Sequence, residues 1–167
     1  MTVEFPRPVA VAKIGGAGLT IAIEATEAER AAVAARMDIP AIQSLACEFQ
    51  LTREGDGVSF AAKGTLRALV TRVCVVSAED FEAPVLEAFS VRFVPADRMR
   101  EDIDPDEPDE VPYDGTAIDL GEAATEQLGL ALDPYPRMPG AMPPEVEDDV
   151  SDSPFAALAR VRREGET

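Results

Sequence analysis

Cys47 and Cys74 are the only thiols in a chain of 167 residues that contains no histidine. Without imidazole there is no Ser–His or Cys–His nucleophile and no histidine metal ligand. A reactive thiolate would then need a helix start or a nearby cation to lower its pKa. Around Cys74, in TRVCVVSAEDF (71–81), only Arg72 is at hand. Cys47 lies among alternating apolar residues, and both thiols read as small buried hydrophobes. A disulfide between them is disfavoured in a reducing compartment.

Carboxylates are the other reactive group in quantity, 32 of them, too many for a catalytic pair to be singled out by spacing. In DIDPDEPDE, Asp102, Asp104 and Asp106 match the first three ligand positions of a calcium loop. The sixth position is Glu107 where a glycine must turn the chain, and the twelfth is Tyr113 instead of a bidentate glutamate. The stretch therefore reads as a solvated charge run. Gly15-Gly16-Ala17-Gly18 lacks the lysine of a phosphate-binding loop and reads as a turn before a strand. No catalytic, cofactor or metal site is assigned, and a non-enzymatic protein is expected.

The acids are unevenly placed. Residues 1–96 carry 12 acids and 9 bases, whereas residues 97–152 carry 18 acids against Arg98, Arg100 and Arg137. Such a field repels phosphate backbones and draws basic partners, more weakly as salt rises. Binding to DNA is not expected. The candidate partner-binding residues are Asp102, Asp104, Asp106, Glu107, Asp109 and Glu110 in the first acidic run. Near the C-terminus, Phe155 and Leu158 form an apolar stripe beside Arg160, Arg162 and Arg163.

The elements that must position these groups follow from periodicity. Leu19, Ile21 and Ile23 alternate as a strand does, and Thr26 with Glu29 has capping-box spacing ahead of EAERAAVAARM. Leu45, Cys47, Phe49 and Leu51 alternate with polar neighbours, EGDG (54–57) turns the chain, and the pattern resumes as a hairpin. Longer strands are expected over 64–76 and 84–94. Three prolines and repelling charges between 95 and 115 predict a mobile irregular loop. Asp119 then caps a helix, with Glu122 at the capping-box position, and Asp133-Pro134 stops it. Ser153-Pro154 opens a last short helix.

The expected fold is therefore α+β: an antiparallel sheet of four to five strands with packed helices, acidic irregular linkers and a short C-terminal helix. The whole chain, 1–167, reads as one domain. It divides into a sheet-rich part (1–96), an acidic loop (97–115), a helix (116–133), a proline-rich acidic linker (134–152) and the terminal helix (153–163). No stretch near the N-terminus combines a basic start with a long apolar run, so a cytoplasmic location without a membrane span is expected.

Three segments in order, CVVSAEDFEAPVLEAFSVRFVP (74–95), IDLGEAATEQLGLAL (118–132) and SPFAALA (153–159), resemble the YceD family. Its members are bacterial proteins linked to accumulation of 23S ribosomal RNA. The resemblance implies a ribosome biogenesis factor whose partners are a pre-ribosomal large subunit, a basic ribosomal protein or rRNA within a particle. Many members carry a Cys-x-x-Cys pair and later cysteines suited to a four-thiolate zinc site. Here Cys74 matches the second cysteine of that pair, Thr71 stands at the first, and Arg137 and Met138 follow LALDPYP. One thiolate does not complete a tetrahedral site, so a zinc-free member is expected. The alternative reading is an acidic interaction module or small chaperone unrelated to ribosomes.

Overall fold

The computed structural model describes residues 3–100 and 106–143. Strands β1 (Pro8–Ala10), β2 (Leu19–Glu24), β3 (Ala41–Arg53), β4 (Phe60–Val73), β5 (Asp80–Pro95), β6 (Asp109–Tyr113) and β7 (Ala117–Asp119) accompany helices α1 (Glu27–Arg36) and α2 (Leu120–Ala131). Five strands form one sheet in the order β2-β3-β4-β5-β6, and β1 pairs with β7 in a separate ribbon. The fold is α+β, as the periodicity predicts.

Long β3, β4 and β5 are joined by tight turns into an antiparallel meander. Leu45, Cys47, Phe49 and Leu51 are buried, while Glu48, Gln50 and Thr52 face solvent, so the period of two separates the faces cleanly. At the first turn Asp56 accepts bonds from the Val58 and Ser59 amides and the Ser59 hydroxyl, and Gly57 takes a positive φ of 76°. These donors hold the Asp56 carboxyl down at about 2, the Ser59 hydroxyl first among them.

Register places Phe49, Gly64 and Phe89 in one row across β3, β4 and β5. The missing Cβ of Gly64 lets the Phe89 ring lie over it and meet Phe49 edge-on, with centroids 5.7 Å apart. A Cβ at Gly64 would overlap the far end of that ring, which can swing aside. Gly64→Ala is therefore expected to cost about 1–2 kcal/mol, chiefly the lost ring contact offset in part by gained strand propensity. Urea unfolding of the two proteins checks this.

The predicted N-caps at Thr26 and Asp119 are present. Thr26 and Glu29 form the full capping box of α1. Glu29 also receives both guanidinium nitrogens of Arg7, at 2.7 and 2.8 Å. That pair, then the Thr26 amide, holds the Glu29 carboxyl down at about 2. A depressed carboxylate contributes stability that is complete above its unfolded pKa near 4.5 and is lost as pH falls toward 2. Acid also relieves the self-repulsion of a chain with net charge −17, so the informative quantity is a difference. The urea midpoint of Glu29→Gln is expected to lie below wild type at pH 6 and to converge on it between pH 4.5 and 2.

Asp119 caps α2 by accepting from the Gly121 and Glu122 amides and from the Arg7 amide as well. Glu122 does not complete a second capping box. Its carboxylate turns to Arg36 of α1, at 2.8 and 3.0 Å, tying the two helix faces together. The N-terminal segment is threaded beneath this corner: Phe5 is fully buried, and the Leu120 amide donates to the Arg7 carbonyl. The core joins Phe5, Phe49, Phe60, Phe93, Leu66, Ile118 and Leu128 into one cluster.

Two expectations are corrected. Strand β4 ends at Val73, so Cys74 belongs to the β4–β5 turn and not to the predicted strand over 64–76. More substantially, the stretch read as an irregular acidic loop contains β6, which pairs parallel to β5 in a sheet otherwise antiparallel. Arg92 and Arg100 neutralise Glu110, and Pro112 is tolerated because β6 is the edge strand. Residues 101–105, with Asp102 and Asp104, lie outside the described residues, as does everything after 143.

Candidate functional site

Cys74 comes first because its turn is unusual. The Cys74 amide donates to Glu79, its carbonyl accepts from Ala78, and Ala78 has a φ of +60°. The thiol is 1% exposed and its sulfur accepts the Met138 amide at 3.3 Å. The Ser77 hydroxyl, then the amides of Met138, Ser77 and Val76, pull its pKa down to about 7, whereas burial first, with the charge of Glu48, pushes the Cys47 thiol up to about 12. The Val75 amide donates to Pro136 and Arg72 reaches the Asp133 carbonyl. Cys74, Val75 and Arg72 thus fasten segment 133–138 onto the end of β4 and the β4–β5 turn by one hydrogen bond each. Zinc does not fit this arrangement: Thr71 is bonded to Gln43 within the sheet, and position 138 contributes only a backbone amide. No group of three metal-ligating side chains is assembled among the described residues.

Charge converges elsewhere, where β6, β7 and the first half of α2 enclose a cleft of about 420 Å³. Phe93, Val111 and Ala123 supply apolar lining, and Glu110, Asp114, Asp119, Glu122 and Glu126 supply five carboxylates. Three of the five have structural work. Glu110 binds Arg92 and Arg100, its carboxyl held down first by the Arg100 amide. Asp119 is the α2 cap, and Glu122 binds Arg36.

Asp114 and Glu126 are exposed and have no ion-pair partner among the described residues. Exposed as its residue is, the Glu126 carboxyl is pushed up, first by partial desolvation in the cleft and then by the charge of Glu122 one turn away. A carboxylate whose charge is disfavoured by like neighbours is relieved when a cation approaches. The cleft therefore suits a lysine or arginine whose aliphatic stem lies on the apolar wall.

The first acidic run is only partly available to a partner. Asp106, Glu107 and Asp109 all lie at the surface, and Glu107 and Glu110 are tied to Arg100. Asp102, Asp104, Phe155, Leu158, Arg160, Arg162 and Arg163 fall outside the described residues. Asp114, Glu122 and Glu126 did not stand out as a site in the sequence. The available signal was the i, i+4 spacing of Glu122 and Glu126 beside the buried Ala123, Ala124 and Leu128.

No helix among the described residues is long and apolar enough to cross a membrane. Neither a curated protein nor a solved structure matches the chain. Residues 62–161 match the family described as large ribosomal RNA subunit accumulation protein YceD, a span that runs from β4 through the cleft, the Cys74 turn and the apolar-basic segment near the C-terminus. With that match extending over most of its length, the chain belongs to the YceD family.

Proposed function

We propose that this protein supports 23S ribosomal RNA accumulation as a non-enzymatic assembly factor. It does so by engaging a basic ribosomal protein, or a pre-ribosomal particle that displays one, through its acidic cleft. The family description links the chain to the large-subunit RNA and names an accumulation role, not a reaction. The observation that carries the mechanism is the pair of exposed carboxylates, Asp114 and Glu126, at the rim of a cleft that already holds three more. That field disfavours direct contact with a phosphate backbone and favours lysine- and arginine-rich segments.

The test is large-subunit rRNA profiling in cells that lack the protein. Wild type is expected to restore mature 23S RNA, whereas Asp114→Lys/Glu126→Lys is expected to leave precursors elevated. Full rescue by that variant would refute the role of the cleft.

A further inference from the structure

At the opposite end of α2 a second groove, of about 540 Å³, opens between the C-terminus of α1, the end of β4 and the C-terminus of α2. Met37, Ile39, Val73, Leu132 and Pro134 give it an apolar lining. Val73, the last residue of β4, leaves 42% of its surface exposed at the groove. Gly129 lies within α2, where a glycine costs helix stability by about 1 kcal/mol relative to alanine. A Cβ there would meet Met37 at 3.7 Å, an ordinary contact, so a longer side chain at this groove-lining position has room and would take up groove volume.

We infer that this groove seats the chain's own segment 153–163, with Phe155 and Leu158 on the apolar lining and Arg160 and Arg162 at the rim. Charge supports the assignment. Both helices end at the groove, so two negative dipole termini meet there beside Asp38 and Asp133. Arg72, the one cation in the lining, is directed to the Asp133 carbonyl. Segment 153–163 holds three arginines and no acid, which makes it the basic piece of an acidic second half.

Chain length supports it too. Pro134 and Pro136 already line the groove, and the described chain ends at Pro143. The twelve residues from there to Phe155 can span up to roughly 40 Å, about the width of a domain this size. A tether of that length holds the segment at an effective concentration on the order of millimolar.

The experiment is limited trypsin digestion of the full chain, following cleavage after Arg160 by mass spectrometry. It is paired with backbone amide NMR of wild type, Phe155→Asp/Leu158→Asp and Gly129→Leu. Seated in the groove, Arg160 is expected to be cut about tenfold more slowly in wild type than in either variant, since cleavage requires release. The amides of residues 37–39, 73 and 129–133 are expected to shift between wild type and the double variant, and the wild-type rate is expected to survive dilution. Equal cleavage rates with no amide shifts at the groove would overturn the assignment. So would protection that disappears on dilution, which would mean a second copy supplies the segment, or protection that appears only when a ribosomal particle is added.

Discussion

Gly121→Ala is expected to destabilise the protein by about 3–5 kcal/mol, a fall in melting temperature of roughly 10 °C or more. Gly121 is buried at the start of α2, and a Cβ on it would overlap the carbonyl oxygen of Phe5, with the carbonyl carbon only 2.8 Å away. Backbone cannot swing aside as a ring can, which separates this site from Gly64. Relief would require moving the N-terminal strap packed against the start of the helix. That strap carries the buried Phe5 side chain, the hydrogen bond from the Arg7 amide to the Asp119 carboxylate and the one from the Leu120 amide to the Arg7 carbonyl. The cap, the strap and the N-terminal core would loosen together. Thermal unfolding by circular dichroism measures the effect, and a loss under 1 kcal/mol would show that the strap does not hold α2.

The second large effect concerns binding. Asp114→Lys/Glu126→Lys changes the charge at the cleft by four units at two exposed positions with no ion-pair partners among the described residues. Stability is therefore expected to change little. Association with a basic ribosomal protein is expected to weaken at least about tenfold at low salt, mostly through slower encounter. The difference between wild type and variant should shrink as ionic strength rises and the Debye length contracts. Surface plasmon resonance across a salt series reads both quantities. Equal on-rates for the two proteins at low salt would show that the cleft does not steer the partner.

Local rules carried much of the fold. Alternation along 45–51 gave β3 its buried and solvent faces because each face of that strand meets one environment. The caps at Thr26 and Asp119 were legible because the capping bonds go to amides two or three residues along in the same helix start. Strand β6 was hidden for the opposite reason. Its acidic, proline-containing sequence has no strand signature, and it is held by Arg92 of β5 and by Arg100. Arg92 is far away in sequence. Cys74 was legible as buried but not as a hydrogen-bond hub, because the Met138 amide arrives from 64 residues away.

The cleft was illegible for the same kind of reason. The charge asymmetry of the chain identified the half that contains it, yet nothing local to Asp114 or Glu126 says that β6 and α2 will face each other. Phe93 and Val111, adjacent across β5 and β6, set that approach from beneath.

The most direct test compares two ligands for the purified protein: bare 23S ribosomal RNA and the basic proteins of the large subunit, each at low and at physiological ionic strength. The electrostatic account predicts binding to one or more basic proteins, steeply weakened by salt, and none to the naked RNA. Tight binding of bare RNA at physiological ionic strength, with indifference to the basic proteins, would contradict it.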